Sequence, residues 1–225
     1  MAKKSVNEKK PRAKSGMKVS QKNEVGKSQL PATATFKPEI GKNVSIDTFR
    51  PGIECRLLEN KLVISKGFDE LLQKSYGKYD EKRLELSLVE ALYLLEKGRI
   101  SVRKCSKKIS FRGLMDFGLE KDKRLHEKFI VYKDLRDRGF VAKTGFKFGC
   151  DFRVYQRGVG VKKGPKAASE HTKWIVYTIP EDYACSFAEL SRAVRLAHSI
   201  RAQMLWAIVD NENCVTYFEV VRIKP

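Results

Sequence analysis

Large apolar side chains are sparse over residues 1–43 and become frequent only beyond Asn43. The first stretch is rich in Lys, Ser, Ala and Thr, a composition that cannot offset the entropy of ordering a chain, and it predicts a disordered arm. Short strand-like runs follow, such as Lys61-Leu62-Val63-Ile64-Ser65, and then a helical pattern over 84–97 with Leu88, Leu92 and Leu95 on one face. Ser87 stands three residues ahead of Glu90 in capping-box spacing, and Gly98 ends the helix. A strand over 99–102 comes next. Ser110 offers an N-cap for a short helix to about Phe117, and 122–138 reads as a longer helix closed by Gly139.

The pattern changes again near Phe140. Phe140-Val141, Phe152-Arg153-Val154-Tyr155 and the run from Trp174 to Ile179 are β-rich, and a helix over 187–203 is capped by Ser186 with Glu189 three residues on. Two further strands, 204–209 and 215–221, flank the turn Asp210-Asn211-Glu212-Asn213. The expected fold class is therefore α/β (α+β): a small N-terminal mixed α/β domain, then a C-terminal α/β domain with a mixed sheet and one main capped helix. We place the arm at 1–43, the N-terminal domain at 44–125 and the C-terminal domain at 126–225. The first of these domains gathers no acid, base and nucleophile, which leaves it packing, positioning or assembly.

Charge narrows the partners. The 225 residues carry a formal net charge of +19, of which residues 1–43 hold +8 and the remainder +11. Neutralising phosphates releases counterions, so a surplus of this size favours a polyanion: nucleic acid first, an anionic membrane surface second. The arm then reads either as a solubilising tail or as a source of non-specific phosphate contacts. No apolar run reaches membrane-spanning length and the N-terminus lacks a secretory apolar stretch, which predicts a soluble, cytoplasmic protein. The five cysteines, Cys55, Cys105, Cys150, Cys185 and Cys214, form no CxxC pair and accompany three histidines. Free thiols are expected, with neither a disulfide framework nor a structural zinc site.

The region from Lys143 to His171 sets Tyr155, His171 and many cations around the loop Gln156-Arg157-Gly158-Val159-Gly160-Val161-Lys162-Lys163-Gly164-Pro165-Lys166. A glycine-rich loop without acids suits contact with a phosphate backbone; it is not a P-loop, since it lacks GxxxxGK[ST]. Taken singly, a tyrosine or a histidine is more often packed or simply exposed than catalytic. His198, on the predicted C-terminal helix, reads as a packed helical residue.

The run from Leu135 to Tyr155, LRDRGFVAKTGFKFGCDFRVY, the later Ser169-Glu170-His171, and VRLAHSIRAQMLWAIVD over 194–210 resemble the archaeal tRNA-splicing endonuclease family. SLVEALYLLEKGRISV over 87–102 resembles that family's N-terminal domain. The resemblance implies metal-independent cleavage, without a cofactor, of precursor tRNA at a bulge–helix–bulge element, by attack of a 2′-hydroxyl to leave a 2′,3′-cyclic phosphate and a 5′-hydroxyl. It assigns Tyr155 as base and His171 as acid, and the stretch between them is longer than the family's, by an insertion rich in Gly and Lys. The family's third catalytic residue is a lysine at the position of Ala202, which the resemblance puts on the C-terminal helix. Three explanations stand: a deliberate lysine-to-alanine inactivation of a catalytic subunit, which the retention of Tyr155 and His171 favours, a natural non-catalytic subunit, or a replacement from a neighbour. Lys173, two residues past His171 and so expected on the same strand face, is the candidate replacement, against the plainer reading of a solvated strand residue.

The same resemblance makes Arg195 and Arg222 a pair that sandwiches an extruded base, where otherwise each is an ordinary surface cation. It makes Asp210 and Glu212 part of an acidic loop that docks into a basic cleft of a neighbouring subunit, within four identical chains or two of these with two of a related subunit. Two other classes stay open: an RNA-binding subunit without activity, and a metal-dependent nuclease using Asp151 and Glu170.

Overall fold

The structure, a computed structural model, describes residues 52–59, 61–161 and 171–223. The arm expected over 1–43, Glu170 and much of the Gly/Lys loop lie outside the described residues. The N-terminal half is a six-stranded sheet in the order β3-β4-β2-β1-β5-β6. Its strands are β1 (Ile53–Leu58), β2 (Lys61–Ile64), β3 (Lys78–Asp80), β4 (Arg83–Leu86), β5 (Ile100–Lys104) and β6 (Lys107–Ile109). β1 and β5 pair in parallel, and the other neighbours pair antiparallel. Four helices accompany it: α1 (Asp69–Gln73), α2 (Leu88–Glu96), α3 (Phe111–Leu119) and α4 (Leu125–Asp137).

The helix expected over 84–97 starts later. Leu84 and Leu86 are buried residues of β4, and α2 begins at Leu88 behind a complete Ser87–Glu90 capping box. Leu84, Leu86 and Leu88 fit a strand period of two, while Leu84 and Leu88 alone also fit one helical turn, so the leucines overran a start that the cap marks. α4 likewise starts at Leu125 instead of Asp122, whose carboxylate accepts the Arg124 N–H at 3.1 Å in the turn before the helix. The Ser110 cap is present, accepting from Gly113 N–H at 3.1 Å.

Glu90 does more than cap. Its carboxylate is almost fully buried and accepts N–H bonds from Ser87 and from Gly77, both at 2.9 Å. The Lys143 ammonium lies 3.6 Å from it and also donates to the Gly77 carbonyl. Gly77 is thus gripped at both its N–H and its C=O. It has φ +60°, and a Cβ there would lie 2.6 Å from the Glu85 carbonyl oxygen, so no other residue fits.

The C-terminal half is a five-stranded sheet in the order β11-β10-β9-β8-β7, from β7 (Val141–Thr144), β8 (Phe152–Tyr155), β9 (Trp174–Pro180), β10 (Gln203–Val209) and β11 (Val215–Val220). β9 and β10 are parallel, joined by α5 (Phe187–Ser199), and the other pairs are antiparallel. Two mixed α/β halves are therefore present. One face of the second sheet sends Phe152, Val154, Val176, Ala207 and Val209 into a core continuous with Phe129, Tyr132 and Leu135 of α4 and with the first sheet. The other face packs Ile175, Ile179, Met204 and Trp206 under Ala193 and Ala197 of α5.

α5 stops four residues before the sequence pattern does. Ile200 is its C-cap and Arg201 takes φ +56°. The Arg201 N–H donates to the His198 carbonyl at 3.1 Å and the Ala202 N–H to the Ala197 carbonyl at 2.9 Å. This is a Schellman closure made without glycine, at a cost of about 1–2 kcal/mol for the left-handed residue. Ala202 is thereby in the loop that enters β10, not on the helix.

Candidate active site

The strand directions decide which residues meet. The C-terminal end of β8, the N-terminal ends of β9 and β10 and the C-terminal end of β11 all lie at one end of the second sheet. Tyr155, His171, Ala202 and Arg222 stand at these ends, and α5 finishes there, which brings Arg195 within its last turns. Arg195, Arg201, Arg222 and His171 are exposed, and so is His198, which the sequence reading expected to be packed. Asp210 and Glu212 sit at the opposite end, in the β10–β11 turn.

Within this end, backbone bonds tie the pieces together. The Lys173 N–H donates to the Val154 carbonyl and the Lys173 carbonyl accepts from the Gln203 N–H, both at 2.9 Å. β9 itself starts at Trp174, so the expected single strand carrying both His171 and Lys173 is not formed. Tyr155 is only 1 % exposed. Side chains at this end interlock: the Lys173 ammonium lies 4.1 Å from the Trp174 ring centroid, Trp174 meets Phe140 edge-on at 5.7 Å, and the Arg157 guanidinium covers Phe140 at 4.9 Å. Glu219 accepts from Gln203 Nε2 at 2.7 Å and from Trp174 Nε1 at 3.4 Å.

The opposite end is acidic. Glu181, Asp182, Glu189, Asp210 and Glu212 cluster in the sequence segments that leave β9, open α5 and turn from β10 to β11. Asp210 is committed locally, since its Oδ1 accepts the Glu212 and Cys214 N–H groups at 2.9 and 2.8 Å. Asn211 donates to Glu181. The contrast between a cationic and an acidic end escaped the sequence reading, because it appears only once the strand order is known.

Asp151, a candidate metal ligand in one reading of the sequence, is a structural group instead. Its Oδ2 accepts the Thr178 N–H at 2.8 Å, and its Oδ1 lies 3.1 Å from the Lys128 ammonium and 3.7 Å from Arg124. Among the described residues, no three His, Cys, Asp or Glu side chains gather to hold a metal. A phenol and an imidazole at one sheet end can move protons, and the cations around them draw an anionic substrate.

A sheet end of this composition is suited to acid–base chemistry on a polyanion, and comparison with known proteins makes the class specific. Residues 125–217 match the family model described as tRNA intron endonuclease, catalytic C-terminal domain, and residues 53–115 match its N-terminal domain. A tRNA-splicing endonuclease of Thermococcus gammatolerans is 43% identical over 152 residues, covering 68% of this chain and 85% of that protein. One from Methanococcus maripaludis is 37% identical over 175 residues, covering 76% and 95%. One from Pyrococcus furiosus is 39% identical over 149 residues, covering 66% and 82%. The chain belongs to the archaeal tRNA-splicing endonuclease family.

Proposed function

We propose that this chain is a subunit of a metal-independent endoribonuclease that recognises precursor tRNA at a bulge–helix–bulge element and cuts both intron junctions. The observation that supports this reading is that Tyr155, His171 and Ala202 all flank strand ends at one end of the C-terminal sheet, where exposed cations also lie. Tyr155, entering the step as its phenolate, takes the proton of the 2′-hydroxyl, whose oxygen attacks the adjacent phosphorus. The P–O5′ bond breaks as His171 protonates the leaving oxygen, giving a 2′,3′-cyclic phosphate and a 5′-hydroxyl. Arg195 and Arg222 are exposed at the same end, in reach of an extruded base that guanidinium planes can stack upon. Residues 126–225 form the catalytic domain and 44–125 the positioning and assembly domain; the arm 1–43 adds phosphate contacts.

Two cuts at fixed separation need two such sites, and the described residues hold one candidate. The assembly is then a homotetramer, or a heterotetramer with a related subunit, held in part by the Asp210–Glu212 turn in a basic cleft of its neighbour. We place its work on tRNA in the cytoplasm; among the described residues no helix is long and apolar enough to cross a membrane.

A second reading, a non-catalytic RNA-binding subunit of the same complex, draws support from the alanine at 202 and from the burial of Tyr155, 1 % exposed. Single-turnover cleavage of a bulge–helix–bulge RNA in excess chelator separates the two. The enzyme reading expects cyclic-phosphate and 5′-hydroxyl ends, and loss of most activity in His171→Ala with binding retained. Binding without scission in the assembled protein, both for this chain and for Ala202→Lys, establishes the second reading.

A further inference from the structure

The pairing registers extend to a row of residues that the chain order hides. β8 pairs with β9 at Val154↔Trp174, and β9 with β10 at Trp174↔Gln203. One residue further along each strand direction, Tyr155, Lys173 and Ala202 stand side by side, and the Lys173 backbone bonds to Val154 and Gln203 hold that step in place. β10 pairs with β11 at Met204↔Val220, so the same step continues the row to Arg222.

The row faces one side. Val154 and Val176 point into the α4 core, whereas Ile175, Met204 and Ala202 pack toward α5. Alternation continued one residue past the strand ends directs the Cβ atoms of Tyr155, Lys173 and Ala202 to that second side, while the Lys173 stem turns back so that its ammonium lies over Trp174, a residue of the first side. Neighbouring strands are about 4.8 Å apart, and an extended lysine places its nitrogen about 6 Å from its Cα. An ammonium rooted at 173 therefore covers the space that one rooted at 202 would cover. Among the cations of the described residues, Lys173 is the one bonded through its backbone to both the Tyr155 strand and the strand after Ala202.

We infer that Lys173 supplies the transition-state cation that the alanine at 202 cannot, and so acts as the third catalytic residue of this chain. The inference rests on the endoribonuclease reading above. Without RNA the ammonium rests on the Trp174 ring, 4.1 Å from its centroid, and Trp174 is itself fixed by Phe140 and Glu219. Its flexible stem then carries it to the non-bridging oxygens of the reacting phosphate. The 2′-oxygen–phosphorus bond forms as the P–O5′ bond breaks. The 2′-hydroxyl proton goes to the Tyr155 phenolate oxygen and the 5′-oxygen receives a proton from the His171 imidazolium. Lys173 keeps its own proton and balances the charge that builds on the phosphorane.

The test compares this chain, Lys173→Ala, Ala202→Lys and the double variant Lys173→Ala/Ala202→Lys, on a saturating bulge–helix–bulge RNA in single turnover, with RNA affinity measured alongside. This chain cuts, Lys173→Ala is slower by about 100-fold or more, affinity changes by less than about threefold, and the double variant regains most of the rate. Because a lysine at 202 also restores the family's own cation, recovery supports the inference when Ala202→Lys alone adds little to the rate of this chain, and a large gain in that single variant counts against it. Full activity in Lys173→Ala overturns the inference, and so does a loss of affinity as large as the loss of rate. If this chain is inert while Ala202→Lys cuts, the inference falls and the endoribonuclease reading stands. If no form cuts when assembled, both fall.

Discussion

Removing the Glu90 carboxylate should cost more than removing any ordinary surface acid, because three separate groups lose their partner at once. Glu90→Ala leaves the Gly77 N–H without its 2.9 Å acceptor and opens the Ser87 capping box. It also leaves the Lys143 ammonium, whose side chain is 14% exposed, without the carboxylate 3.6 Å away. A lost cap costs about 1 kcal/mol, an orphaned buried donor about 1–3, and breaking a buried ion pair from one side about 3–5. These overlap, so we expect a total of about 3–5 kcal/mol, read from urea denaturation followed by far-UV circular dichroism. Burial holds the Lys143 titration below its usual 10.5, and the attraction of Glu90 only partly offsets this. The sign follows: a base whose pKa is lower folded than unfolded disfavours the fold while charged, and that penalty fades as pH rises through the folded value. Without Glu90 the folded value drops further, so the deficit of Glu90→Ala should shrink on going from neutral to alkaline pH. Lys143→Met in the same background should recover about 2 kcal/mol by removing the stranded charge. A deficit below about 1 kcal/mol, or strict additivity of the two substitutions, refutes the reasoning.

Two shorter predictions concern the surface and the thiols. Glu212→Lys should lower the assembled mass seen by light scattering, because only the Glu212 backbone takes part in the turn; Asp210→Lys would break the turn itself by removing the acceptor of two N–H groups. An unchanged mass for Glu212→Lys removes the docking role. Burial pushes the Cys55 thiol up to about 12, and burial followed by the neighbouring Asp151 charge pushes Cys150 up to about 11. Thiol reagents at neutral pH should therefore label exposed Cys105, Cys185 and Cys214 and reach the other two only on unfolding, so rapid labelling of all five would contradict the packing.

Sequence patterns located elements well where a local signal marks the boundary and poorly where only periodicity does. Ser87, Ser110 and Ser186 each open a helix, because an N-cap hydroxyl satisfies a nearby N–H without help from the rest of the fold. The C-terminal end of α5 was not legible, since its closing residue is Arg201 in a left-handed conformation where sequence leads one to look for glycine. β1, α1, β3 and β6 gave no distinct pattern of their own; they are short, and pairing with distant strands sets their ends. The resemblance named Tyr155, His171 and position 202. Their common place at one sheet end depends on a parallel β9–β10 pair with a helix between, a long-range arrangement that no local window contains.

That arrangement also constrains how the acidic turn can work. β10 runs seven residues from Gln203, beside Ala202, to Val209, beside Asp210. At about 3.3 Å per residue this separates the two ends by about 20 Å of regular strand, which is stiff because it is paired on both sides. The Asp210–Glu212 turn therefore cannot fold back onto the cationic end of its own sheet. A cationic surface that the turn meets is then one on another chain. The docking proposed above therefore requires a second subunit, and a monomer in which the turn lies against its own active-site end is excluded by the length of β10.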